Sequence, residues 1–151
     1  MVNSRQKGAG FETKICKLLK EITGKKFTRT PGSGAVSTRT GNMALAGDIM
    51  GVNHKFPWVV EAKKYKEVNF NDLLTGKGNM HKWIAQLERE SKSRPGMLVF
   101  AENYGKIKIM VKTKLQIPDT FKWNDYVIGL FEKVMPILWK EHEGKSGKPT
   151  K

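Results

Sequence analysis

The chain has one cysteine, Cys16, in 151 residues, which excludes a disulfide framework and a cysteine-built zinc site. Lying between Ile15 and Lys17 on a helical stripe, it reads as an inert, reduced thiol. The three histidines, His54, His81 and His142, are scattered without ligand spacing. No apolar run approaches the roughly eighteen residues of a membrane span, and the opening residues lack the apolar stretch of a secretory leader. The expected setting is cytoplasmic (the host's cytoplasm if the chain is viral), with no membrane partner. Negative charge is also scarce, with 14 Asp plus Glu against 28 Lys plus Arg and a formal net charge of +14. Such a surface attracts polyanions, of which nucleic acid is the commonest. No basic amphipathic helix of the membrane-surface kind accompanies it.

Against this basic background a few acids stand out. Gly47-Asp48-Ile49 is followed, twelve residues later, by Glu61-Ala62-Lys63. Two carboxylates and an ammonium among apolar, strand-like residues are costly to half-bury unless something compensates them. A hard divalent cation does so, because it takes oxygen ligands and can polarise a phosphate or a water. The chemistry to expect is metal-dependent phosphodiester hydrolysis.

Asp48 to Val52 and Trp58 to Lys63 read as two strands joined by Asn53-His54-Lys55-Phe56-Pro57. A turn centred between His54 and Lys55 puts Asp48 opposite Glu61, where antiparallel partners have Cβ atoms about 4.5–5.5 Å apart. Glu61 and Lys63 then project from one face, about 6–7 Å apart by strand rise. A slip of one residue would undo this arrangement.

The remaining elements follow from periodicity and punctuation. Phe11, Ile15, Leu18, Leu19 and Ile22 form a helical stripe that Gly24 ends. Glu12 lies about 75° from the centre of that stripe, each residue turning about 100°. That is the place of an ordinary boundary glutamate, yet within reach of the edge of whatever the helix packs on. Phe27-Thr28-Arg29 is a short strand. A Gly/Ser/Thr-rich stretch from Thr30 to Gly47, carrying Gly32-Ser33-Gly34 and Arg39, is either a plain flexible loop or a functional one. Its glycines, hydroxyls and arginines suit close approach to phosphate oxygens. Residues 67 to 79 carry Gly76-Lys77-Gly78-Asn79 as a mobile tip. Met80, Trp83, Ile84 and Leu87 mark a second helix reaching about Ser91, with Gln86 on its flank.

Met97 to Ala101 and Ile107 to Val111 are two further strands. A last helix is expected from an Asn124 cap through Tyr126, Val127, Leu130, Phe131, Val134 and Met135, with Pro136 kinking or ending it near Trp139. The tail from Glu141 to Lys151 reads as disordered. This order makes an α/β domain with a mixed central β-sheet flanked by helices and an extra C-terminal helix. A single domain spans residues 1–140.

Glu12, Gly32-Ser33-Gly34 after Arg29, Gly47-Asp48-Ile49, Glu61-Ala62-Lys63 and Gln86, in that order, resemble the archaeal-type Holliday junction resolvases. That family belongs to the PD-(D/E)XK, restriction-endonuclease-like nucleases. The resemblance covers about residues 5–111. Aspartate with Glu-x-Lys alone is a weak signal, whereas five elements in order on a basic chain are far more specific. Gly47 stands where the superfamily's name has proline, and residues 113–140 are an extension that does not map onto the family.

The resemblance implies a restriction-endonuclease-like core and resolution of four-way DNA junctions by paired nicks. It implies Mg²⁺, with Mn²⁺ able to substitute, held by Asp48, Glu61, the Ala62 backbone carbonyl and Glu12. Lys63 would orient the attacking water or stabilise charge on the phosphate, completing a catalytic set of Glu12, Asp48, Glu61 and Lys63. Arg29 and Ser33 would contact the DNA backbone, joined by Arg39 and Lys64, and Gln86 would sit beside the site. A homodimer is implied because the two nicks lie on strands related by symmetry. Two alternatives stand beside this expectation: the same nuclease site acting on forks, flaps or duplex, and a non-catalytic basic DNA-binding module with a structural ion-pair cluster.

Overall fold

The computed structural model describes residues 4–31, 47–66, 68–92 and 94–146. Helix α1 (Ser4–Thr23) buries Phe11, Ile15 and Leu19 along one stripe. It stops at Gly24, whose φ of +73° and N–H to the Lys20 carbonyl (2.8 Å) make a left-handed cap. Strands β1 (Phe27–Arg29), β2 (Ile49–Gly51) and β3 (Val59–Tyr65) follow, then helices α2 (Asn71–Thr75) and α3 (Gly78–Glu90). Strands β4 (Gly96–Glu102), β5 (Lys108–Lys112), β6 (Phe121–Trp123) and β7 (Tyr126–Leu130) precede helix α4 (Phe131–Ser146).

These strands form one seven-stranded sheet in the order β1-β2-β3-β4-β5-β7-β6. Only β3 and β4 run parallel, and the chain passes between them through α2 and α3. β4 is buried on both faces, as its continuous run Met97-Leu98-Val99-Phe100-Ala101 requires. Met97 and Val99 join the core beneath α1 and α4, with Ile15, Val60 and Trp139. Leu98 and Phe100 join the core beneath α3, with Met80, Trp83 and Leu87. This mixed sheet flanked by helices, closed by a C-terminal helix, is the restriction-endonuclease-like plan expected from the sequence.

Three expectations change. Tyr126 to Leu130 is a strand rather than the start of the last helix. It pairs with β5 and, across a two-residue Asn124-Asp125 turn, with β6. Asn124 serves that turn with φ +53° and is not a helix cap. Val127 faces one core while Tyr126 and Ile128 face the other, the period of a strand. Helix α4 begins at Phe131, carries Pro136 inside it and runs on to Ser146, so Pro136 does not end it and residues 141–146 are helical. Gly78 and Asn79, expected in a mobile tip, open α3, and the residues before that tip form α2, capped by Gly76 at φ +70°. The segment beyond residue 112 thus adds two strands and a helix to the core. No helix among the described residues is long and apolar enough to cross a membrane.

Candidate active site

Asp48 enters the sheet immediately before β2. Gly47 stands at φ +85°, and a Cβ there would lie 2.7 Å from the Val60 carbonyl oxygen, so only glycine permits this approach. The Asp48 N–H donates to the Val60 carbonyl (2.7 Å), and its own carbonyl accepts from the Thr30 N–H (2.9 Å). Ile49 pairs with Val60, and the same register puts Asp48 across from Glu61. The Asp48 side chain is 8% exposed, and its Oδ2 accepts the Ala62 backbone N–H at 2.8 Å.

Glu61 is 1% exposed. It and Lys63 pair across β4 with Leu98 and Phe100, on the face that packs under α3. Among the described residues no donor reaches the buried Oε2 of Glu61. Burial pushes its carboxyl up to about 11, and the carboxylates of Glu90 and Asp48 add to the effect. The Oε2 of Glu90 is likewise buried without a donor, while its Oε1 accepts from the Gln86 Nε2 at 3.4 Å. Gln86 therefore meets the acids through Glu90.

Glu12 approaches from α1 in a different state. Its Oε2 is 2.7 Å from the Nε of Arg29, with the side chains 12% and 45% exposed respectively. Burial raises its carboxyl above the usual range; Arg29 opposes that shift, Asp48 adds to it, and Lys63 weakens it. Asp48 is thus the shared neighbour of Glu12 on one side and Glu61 on the other. One helical turn along α1, burial and then Glu12 push the Cys16 thiol up to about 11, which keeps it protonated and unreactive.

The other expected residues divide plainly. Lys63 is half-buried and Lys64 exposed at the end of the same strand. Arg29 is already engaged by Glu12. Ser33 and Arg39 lie outside the described residues. Glu90 was missed, although the sequence carried a signal. The stripe Met80, Trp83, Ile84, Leu87 calls for an apolar residue three positions on, and an acid stands there.

Among the described residues no three acidic, imidazole or thiol side chains already converge as a complete metal cage. The donor set nevertheless fits a hard cation. Asp48 and Glu61 offer oxygens, one of them buried without any donor, and Mg²⁺ commonly takes only one or two protein carboxylates. The hollows named next lie elsewhere. One, of about 470 Å³, is lined by Lys14, Leu18 and Phe131 among others. The second, of about 600 Å³, is lined by His81, Glu88 and Trp123 among others.

Comparison with known proteins points to a nuclease. A family model described as "Phage putative PDDEXK endonuclease" matches residues 3–135. The chain is 32% identical over 149 residues to "Protein D14" of Escherichia phage T5, covering 87% of this chain and 91% of that one. No solved structure matches.

Proposed function

The chain belongs to the phage PDDEXK endonuclease family, and from that premise we propose that it is a divalent-metal-dependent endodeoxyribonuclease centred on Asp48, Glu61 and Lys63. One observation carries the assignment: the buried Glu61 carboxyl, set beside Asp48, has an oxygen with no donor among the described residues of a chain of net charge +14. Asp48, Glu61 and the Ala62 carbonyl would hold the cation, with Glu12 at its edge. Mg²⁺, or Mn²⁺ in its place, supplies Lewis-acid polarisation of the phosphate and an acidified water when bound. The Ala62 N–H fixes the Asp48 carboxylate. Lys63, on the same face as Glu61, orients the attacking water or meets the charge that grows on the phosphate. Arg29 and Lys64, with Ser33 and Arg39, are the proposed contacts to the DNA backbone, which fix orientation without reading sequence.

The substrate proposed first is a four-way junction, nicked symmetrically by a homodimer whose two-fold axis matches that of the junction. It rests on the ordered likeness of Glu12, Gly47-Asp48-Ile49, Glu61-Ala62-Lys63 and Gln86 to junction resolvases. A second substrate class, forks, flaps or duplex, is favoured by the extent of the family match. That match runs to residue 135, well past residue 111, where the likeness to junction resolvases ends. Cleavage of an immobile four-way junction against matched fork, flap and linear duplex in Mg²⁺, with products mapped on all four strands, separates them. Paired nicks related by symmetry support the junction; equal cutting of linear duplex rejects it. Binding without cleavage of any substrate at any Mg²⁺ concentration would leave a non-catalytic DNA-binding module.

A further inference from the structure

Glu90 is an acid on the buried stripe of α3 where packing calls for an apolar side chain. Its carboxyl neighbours that of Glu61, which lies on the sheet face beneath α3. Among the described residues neither Oε2 has a hydrogen-bond partner, and both are buried. A half-buried acid whose inner oxygen has no such partner is costly, and Gln86 spends its amide on the outer oxygen of Glu90 (3.4 Å). Glu88, two residues back on the opposite flank of α3, shows the contrast, because it accepts the Tyr126 hydroxyl at 3.0 Å. An acid held by an amide, aimed at a 1%-exposed carboxylate with an orphaned oxygen, is placed to serve a cation.

We propose that Glu90, held by Gln86, is a positioning residue of the divalent-cation site, presenting a second carboxyl beside that of Glu61 from the helix side. This rests on the nuclease site proposed above. It accords with the absence of a ready three-acid cage among the described residues. A small hard cation takes few direct protein ligands, and the groups behind those ligands set their orientation.

The test is Mn²⁺ binding to the DNA-free protein by titration calorimetry at fixed pH, together with thermal unfolding with and without Mn²⁺. Glu90→Gln is expected to weaken Mn²⁺ about 10- to 100-fold, the usual cost of losing a group behind a metal ligand. The metal-free melting temperature should hold or rise, because an amide brings a donor to a buried contact that has none among the described residues. Glu90→Asp should recover part of the affinity, Gln86→Ala should lose a smaller part, and Glu88→Gln should change nothing. If Glu90→Gln melts lower yet binds Mn²⁺ like the parent, the residue is merely structural and the proposal is overturned. If Glu90→Gln does not fold, unchanged Mn²⁺ affinity in both Glu90→Asp and Gln86→Ala overturns it equally. Glu61→Gln separates the two levels. Loss of binding there with none in the Glu90 variants defeats only the role of Glu90, whereas full binding in Glu61→Gln defeats the cation site itself.

Discussion

Asp48 has an acid on each side, and the two flanks are electrostatically unlike. On the α1 side Glu12 faces Arg29 at 2.7 Å, so a positive charge from the chain already answers it. On the α3 side Glu61 and Glu90 are neighbours whose buried Oε2 atoms have no donor among the described residues. In a protein with twice as many basic as acidic side chains, leaving one buried acid pair unanswered while answering the next is informative. The cation proposed above would sit on the Asp48–Glu61 flank, with Glu12 as the edge. The predictions below set one flank against the other.

The largest effect is expected from the acids at the junction of the flanks. Asp48→Asn or Glu61→Gln should abolish Mg²⁺-dependent strand cleavage while DNA binding by gel shift stays intact or tightens, since a negative charge near phosphates is removed. A variant cutting at the parent rate would mean that the site lies elsewhere. Next comes Lys63→Ala, for which single-turnover cleavage should slow about 10²–10³-fold, the cost of losing one preorganised charge-stabilising group. Its DNA affinity should barely move. Large affinity loss with normal turnover would make Lys63 a plain phosphate contact.

The third prediction concerns pH. Glu61 titrates near 4.5 when exposed and is pushed up to about 11 in the fold. Between those values the folded state holds a proton that the unfolded state releases, so the Glu61 contribution to stability falls as pH rises. In EDTA the melting temperature should therefore decline from pH 5 towards pH 9, and Glu61→Gln should flatten that decline. Mg²⁺ should raise the alkaline end most. A metal-free profile identical in parent and Glu61→Gln would show that Glu61 is not the buried, uncompensated acid described here.

Much of this geometry was legible in the residues, and the failures have identifiable causes. The register that sets Asp48 across from Glu61 followed from a short connection between two strands, where turn length leaves little freedom. The same local logic failed at residues 124–130. Tyr126, Val127, Leu130 and Phe131 continue the spacing of the true helix backwards, and Asn suits a helix cap as well as a tight turn. Pairing with β5 decided the matter, a non-local contact that periodicity does not report. Glu90 was passed over because an acid at the end of a stripe looks like the stripe's end. Only the approach of α3 to β3 shows that it points inward. Glu12 was placed on the rim of its helix, and its partner Arg29, seventeen residues away, needed β1 to bring it there.

The smallest expected effect falls on the answered flank. Arg29 is 45% exposed, so solvent screens the pair and its net worth to stability is at most about 1 kcal/mol. Arg29→Ala should accordingly shift the metal-free melting temperature only slightly. Its consequences should appear in binding instead. If Arg29 exchanges Glu12 for a DNA phosphate, its removal should weaken binding across all DNA sequences and lower the salt slope by about one. Glu12→Gln should do the opposite, freeing Arg29 for phosphate and tightening binding while cleavage falls less than in Glu61→Gln. Should Glu12→Gln instead match Glu61→Gln in lost cleavage and lost Mn²⁺ affinity, the two flanks would be equal partners in the cation site, and the contrast between an answered and an unanswered acid would no longer locate it.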